Sequence, residues 1–138
     1  MNIKNAIKEW DNFSEEEKWQ KIAEFCGWDT LRWERELWDD GLEHRVLRGV
    51  NKSNRVVRNV PNYLRDLNAI VQAVDEEAKR HNECWAQSYT FRLLDVSAEY
   101  DAERDGECSW DDIYCVAQAT ATERAKALYL AIIERTKL

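Results

Sequence analysis

Arg45, Arg48, Lys52, Arg55 and Arg58 put five cations into a span that contains no acidic residue. Guanidinium groups grip phosphate oxygens bidentately, so a strip of this kind suits a nucleotide or a nucleic acid. The competing reading is a solvated face whose charges pair with Glu34, Glu36 and Glu43, close by in the chain. No glycine-rich phosphate loop accompanies the run, because Gly49 stands alone in it. A second pattern, Asp101, Glu103, Asp105, Gly106 and Asp112, follows the oxygen-ligand spacing of a calcium loop. Its departures are a long Glu at the third place, Cys108 at the usual apolar place, Asp112 in place of a bidentate Glu, and no second loop to pair with. An acidic solvated loop therefore explains it better, and no metal is assigned. A third feature is a set of seven Trp, more than one small core needs. Exposed Trp anchors protein interfaces, and Trp38 at a hairpin tip and Trp110 beside the acidic loop are the candidates for partner binding. The alternative makes Trp19, Trp28, Trp33 and Trp85 core and the rest half-covered, the ordinary state of Trp.

Catalytic signatures are missing from the chain. There is no Gly-x-Ser-x-Gly and no His-Glu-x-x-His, and neither His44 nor His81 sits in a recognisable nucleophile arrangement. No catalytic residue and no cofactor is assigned. Cys26, Cys84, Cys108 and Cys115 are irregularly spaced without a Cys-x-x-Cys pair, which argues for free thiols over zinc or a disulfide framework.

A chain of 138 residues can bury a self-sufficient core as one domain, and 44% hydrophobic with 34% charged residues is a globular composition. The whole of 1–138 reads as a single domain, with 1–13 as an N-terminal extension that can be helical. A net charge of −7 disfavours bulk attraction to nucleic acid or anionic membrane, so any polyanion site must be local. The first residues lack an apolar leader core, and no apolar run reaches membrane-spanning length. The expected location is the cytoplasm, without membrane contact.

The elements that must position these residues are marked by sparse punctuation. Ser14 with Glu17 forms a capping box opening a helix whose inward stripe is Trp19, Ile22, Ala23 and Cys26, and Gly27 supplies its left-handed end. Alternation through Leu31, Trp33, Arg35 and Leu37, then Leu42, His44 and Val46, predicts a hairpin about Asp40-Gly41. A two-residue turn there would set Glu36 opposite Arg45 and Trp38 opposite Glu43. Residues 55–58 predict a third short strand, and Pro61-Asn62 opens a second helix with the stripe Leu64, Leu67, Val71, Val74 and Ala78, flanked by Ile70. Residues 83–100 fit a helix through Trp85, Tyr89, Leu93 and Val96 and a strand through Tyr89, Phe91 and Leu93, with helix the better fit. Residues 112–118 predict a short strand. Thr120 with Glu123 is a second capping box, opening a last helix with Ala121, Ala125, Leu128 and Ile132 inward. The fold class is α+β, with about three main helices on a small, mainly antiparallel sheet.

Two segments, Asn62-Tyr63-Leu64-Arg65-Asp66-Leu67-Asn68-Ala69 and Ala119-Thr120-Ala121-Thr122-Glu123-Arg124-Ala125-Lys126-Ala127-Leu128, resemble the phage ABA sandwich family, as does the Phe25-Cys26-Gly27-Trp28 corner. That family comprises small phage and prophage proteins without assigned biochemistry, so the resemblance implies an α/β/α layered domain and a phage origin, and nothing about chemistry. The chain departs from the pattern in the basic stretch and in the acidic stretch from Glu99 to Asp112, where any special function is expected. Together these readings point to a non-enzymatic accessory protein that binds a host protein, for example as a counter-defence inhibitor. The alternatives are a nucleotide or nucleic-acid binding module using the basic stretch, and a self-associating protein in which hairpin edge and exposed Trp build a homodimer.

Overall fold

The last helix is the axis of the molecule. In a computed structural model that describes residues 3–51, 54–80, 83–98 and 110–136, α6 (Ala121–Thr136) buries Ala121, Ala125, Ala127, Leu128, Tyr129, Leu130 and Ala131. Such positions circle the helix, and a helix that is apolar on all sides belongs in the interior. Its alanines let other helices approach closely. Around it pack α1 (Ile3–Asn12), α2 (Glu15–Phe25), α3 (Leu67–Arg80) and α4 (Glu83–Ala98). A further helix, α5 (Trp110–Ala117), lies against α4. The sheet is antiparallel in the order β1 (Trp28–Leu37), β2 (Glu43–Asn51), β3 (Val57–Asn59). Six helices and a three-stranded antiparallel sheet among the described residues make this an α+β domain, as the sequence predicts.

Both capping boxes close as their residue types require. Ser14 Oγ accepts from the Glu17 amide at 3.2 Å, and Thr120 Oγ1 accepts from the Glu123 amide at 3.2 Å. In return Glu17 and Glu123 accept from the Ser14 and Thr120 amides. Gly27 ends α2 at φ 89°, the left-handed conformation expected of it. In α4, Trp85, Tyr89 and Leu93 are buried at intervals of one turn, which settles 83–98 as helix.

Four expectations are corrected. The N-terminal stretch is no extension: α1 buries Ala6 and Trp10, whose indole packs on Tyr129 of α6 at 5.0 Å. Residues 112–118 are helix through Ala117, not strand. Their β-favouring run is overridden by packing on α4, and Arg124 binds the chain end of α5 through the carbonyls of Val116 and Ala119. The Pro61-Asn62 segment forms a turn, with Asn62 Oδ1 accepting from the Leu64 amide, and helix α3 starts only at Leu67 with Asp66 Oδ1 accepting from the Ala69 amide. Consequently the buried face of α3 is Ile70, Ala73 and Glu77, while Leu67 and Val71 are exposed and Val74 and Ala78 half-buried.

The fourth concerns the hairpin register. Glu36 pairs with His44 and Leu37 with Glu43, one residue away from the two-residue-turn reading. The loop holds three residues, Asp39-Asp40-Gly41: the Gly41 amide donates to the Trp38 carbonyl, and Trp38 N–H to the Leu42 carbonyl at 3.1 Å. Gly41 takes φ 80° here, the left-handed residue that such a loop needs. The register then shifts between Asp29 and Arg32, where Thr30 has φ 51° and a bulge faces Gly49. A Cβ on Gly49 would stand 2.7 Å from Leu31 Cδ2 and 3.0 Å from the Asp29 carbonyl oxygen, so this glycine serves the bulge rather than a phosphate.

Candidate protein-interaction site

Strand pleat and local acids disperse the basic stretch. Arg45 and Arg48 stand on opposite faces of β2, since they are three residues apart. Arg45 pairs with Glu16 of α2 at 3.0 Å and lies over the Trp33 ring at 5.1 Å, while Arg48 pairs with Glu34 at 3.5 Å. Arg55 and Arg58 are exposed and have no acidic partner among the described residues. Lys52 lies outside the described residues. Glu34, one of the acids named as a partner from sequence, is shared between Arg32 at 2.9 Å and Arg48, whereas Glu43 pairs with Arg35 and Glu36 with Asn59. Of the calcium pattern, Asp101, Glu103 and Asp105 lie outside the described residues. Trp110 and Asp112 are helical in backbone, with side chains outside the described ones.

The feature that does converge is aromatic. A cavity of about 580 Å³ opens between the start of α2 and the hairpin, lined by Trp19, Trp33, Trp38, Val46 and Val60 with Arg45 and Arg65 among its charged residues. Trp33 packs edge-on against Trp19 at 5.3 Å and donates its Nε1–H to Gln20 Oε1, while Trp19 donates to the Pro61 carbonyl at 2.8 Å. These two rings are therefore fixed by hydrogen bonds at their polar ends and line the groove, with the Arg45 guanidinium over the Trp33 ring. Trp38 stacks on His44 at 3.8 Å and is 46% exposed. Two ion pairs stand at the α2 wall: Glu16 with Arg45, and Glu15 with Arg65 through two contacts of 2.9 and 3.2 Å. The Glu15 carboxylate raises the Arg65 pKa further above its usual range. At the hairpin loop the Asp40 carboxyl titrates below its usual range, held there first by the Leu42 amide and then by the His44 ring.

Beside this groove the sheet edge is open. Antiparallel strands direct alternate residues' amides and carbonyls to either side. The Trp38 to Leu42 bond shows that even-numbered residues at this end of β2 face β1, and the Val60 N–H to Leu47 carbonyl bond at 2.7 Å shows that odd-numbered ones face the β3 side. Strand β3 pairs only with Arg48, Gly49 and Val50 and ends at Asn59, just before Pro61. The backbone groups of Glu43 and Arg45 therefore point outward with no strand beside them among the described residues. Three large apolar side chains at the same tip are uncovered: Leu37, Trp38 and Leu42, with Leu37 and Leu42 the more exposed.

Cys26 does not add a nucleophile. Burial pushes its thiol up to about 12, only partly opposed by the Tyr63 hydroxyl that donates to it. It lines a second cavity of about 160 Å³ together with Trp28, Tyr63 and Glu76. Trp38 is exposed as the sequence reading expects, Trp19 and Trp33 are half-buried against the core as well as lining the groove, and the open edge was not foreseen. That edge depends on where β3 stops, which Pro61 signals only in hindsight of the pairing.

Compared with protein-family models, curated proteins and solved structures, the chain has no match in any of the three. No helix among the described residues is long and apolar enough to cross a membrane.

Proposed function

We propose that this is a non-enzymatic binding protein that docks an extended segment of a partner protein along the open edge of β2. The supporting observation is the juxtaposition of outward amides on Glu43 and Arg45 with a groove walled by Trp19, Trp33 and Trp38. Strand addition takes main-chain hydrogen bonds for affinity and side-chain pockets for specificity, and both are present side by side. The motif resemblance to phage ABA sandwich proteins is what supports reading the partner as a host protein and the role as an accessory one, for example inhibition of a defence system. Glu16 pairs with Arg45 and Glu34 is shared between Arg32 and Arg48, and this engagement with local acids weakens the nucleotide-binding reading.

The test is affinity capture from lysate of the bacterial host by wild type and by a Trp38→Ala/Leu42→Ser variant, with circular dichroism confirming an unchanged fold. A captured partner that binds the purified wild type directly and is lost by the variant is expected. A partner retained equally by both, or none at all, would refute the site.

A further inference from the structure

We infer that the open edge of β2 is self-complementary and that a second copy of this chain pairs with it antiparallel about a two-fold axis at His44. The inference rests on the strand-docking reading and names one occupant of the same edge.

Backbone geometry limits the registers. Only Glu43 and Arg45 present free amides and carbonyls toward this side, and Leu47 has its carbonyl occupied by Val60. In antiparallel pairing, residues that exchange hydrogen bonds must both face the partner, so odd-numbered residues must oppose odd-numbered ones. Three symmetric registers satisfy this near the tip. One opposes Glu43 to its own copy and a second opposes Arg45 to its own copy, each placing like charges directly across the ladder. The third opposes Glu43 to Arg45 of the second copy, twice by symmetry, and leaves His44 opposite His44.

The third register also satisfies the side chains. On the Glu43 face, Arg45 already stands across β1 from Arg35, two cations in register. Glu16 offsets that repulsion from one side, and a Glu43 from the second copy would do so from the other. On the opposite face Leu42, 62% exposed, comes beside Val46 of the second copy, and the Trp38 rings stacked on the two His44 side chains meet across the axis. The paired stretch is short, Leu42–Val46, because the Asp39-Gly41 loop turns back at one end and Val60 occupies the other. A short edge with few buried side chains gives a weak dimer, with Kd on the order of micromolar.

Sedimentation velocity across a concentration series tests this, on wild type, Glu43→Arg, Arg45→Glu and the doubly reversed E43R/R45E. Wild type is expected to dimerise, and each single reversal to weaken the dimer at least about tenfold, since it opposes like charges twice. The double reversal is expected to recover part of it, since within each copy R45E then faces Glu16 and E43R faces Arg35, and an equimolar mixture of the two single variants is expected to dimerise more tightly than either variant alone, each copy supplying what the other lacks. A misfolded variant could not be rescued by mixing. A wild type that stays monomeric, or a dimer indifferent to both single reversals, would overturn the inference. A monomer that still captures a host partner through Trp38 and Leu42 would overturn it while leaving strand docking in place. The reversal pattern without any captured partner would uphold it against that reading.

Discussion

Replacing Tyr63 by Phe removes one oxygen from the joint between α2, β1 and α3. Trp28 donates its Nε1–H to the Tyr63 hydroxyl at 2.9 Å, and both residues are buried, at 8% and 6% exposure. The bond ties the first residue of β1 to the turn ahead of α3, with Cys26 at the end of α2 lining the same small cavity. Phenylalanine fills the same ring volume, so packing changes little and the cost is the orphaned indole N–H. An unsatisfied buried donor costs about 1–3 kcal/mol, and this depth of burial places the expected loss near 2 kcal/mol. With 138 residues and about 2.1 cal/mol/K of unfolding entropy per residue, that lowers the Tm by about 7 °C. Thermal melts read by far-ultraviolet circular dichroism measure it. Removing both partners in a Trp28→Phe/Tyr63→Phe variant should cost less than the two single losses added, by about 1 kcal/mol, because no orphan remains. A Tm within about 1 °C of wild type for Tyr63→Phe, or strictly additive losses, would show that the bond carries no weight.

Gly49→Ala should destabilise by about 1–3 kcal/mol, because its Cβ would meet the Asp29 carbonyl oxygen, which is backbone and cannot yield, as well as Leu31; an unshifted urea midpoint would remove the bulge from the account. Alkaline conditions should weaken the fold. Burial raises the Cys26 pKa from 9.0 to about 12 and raises Tyr63 as well, so stability is full below about pH 8 and falls as the unfolded chain deprotonates first. The slope reaches about 1.4 kcal/mol per pH unit for Cys26 between about pH 9 and 12, with Tyr63 adding to it only above about pH 10, and urea midpoints level from pH 7 to 10.5 would contradict the burial of Cys26.

Legibility from sequence followed the range of the interactions. Ser14 with Glu17, Gly27, and Thr120 with Glu123 act within one turn of chain, and each does in the fold what its type and spacing announce. The hairpin was legible as a hairpin, but its register turned on whether the loop holds two residues or three. A slip of one then changed every cross-strand neighbour. Helix α3 misled because Leu67 and Val71 are more apolar than Ala73 and Glu77. Ala73 is small enough for close approach, and Glu77 is acceptable when buried because Arg80 binds it at 2.8 Å. Trp10 escaped notice because α1 carries no capping signal, and only its packing on α6 reveals it as core. The basic stretch was read correctly as a run of charge. Its dispersal required knowing that β2 is a strand, that Glu16 faces Arg45 from α2, and that Glu34 faces Arg48 from β1.

The distribution of burial supports placing the proposed docking surface at the hairpin tip. The core is gathered on α6, where Leu128, Tyr129 and Leu130 are essentially inaccessible, and on β2 it extends to Val46 and Leu47. Beyond Arg45, which Glu16 of α2 still reaches, no helix among the described residues is seen to cover the sheet, and Leu37, Trp38 and Leu42 lie on the solvent side of its boundary. Large apolar side chains gathered in the open favour association, and an uncovered strand edge favours it further. Proteins that merely need to protect such an edge place charge on it, and Glu43 and Arg45 would suffice for that alone. Protection does not account for the Trp-lined groove beside the edge, nor for rings held in place by Gln20 and the Pro61 carbonyl. An edge that is charged in a self-matching order and flanked by fixed aromatic faces is selective rather than simply guarded. On the docking reading proposed above, such an edge would reject strands that bring like charge to Glu43 or Arg45 and accept those that answer both.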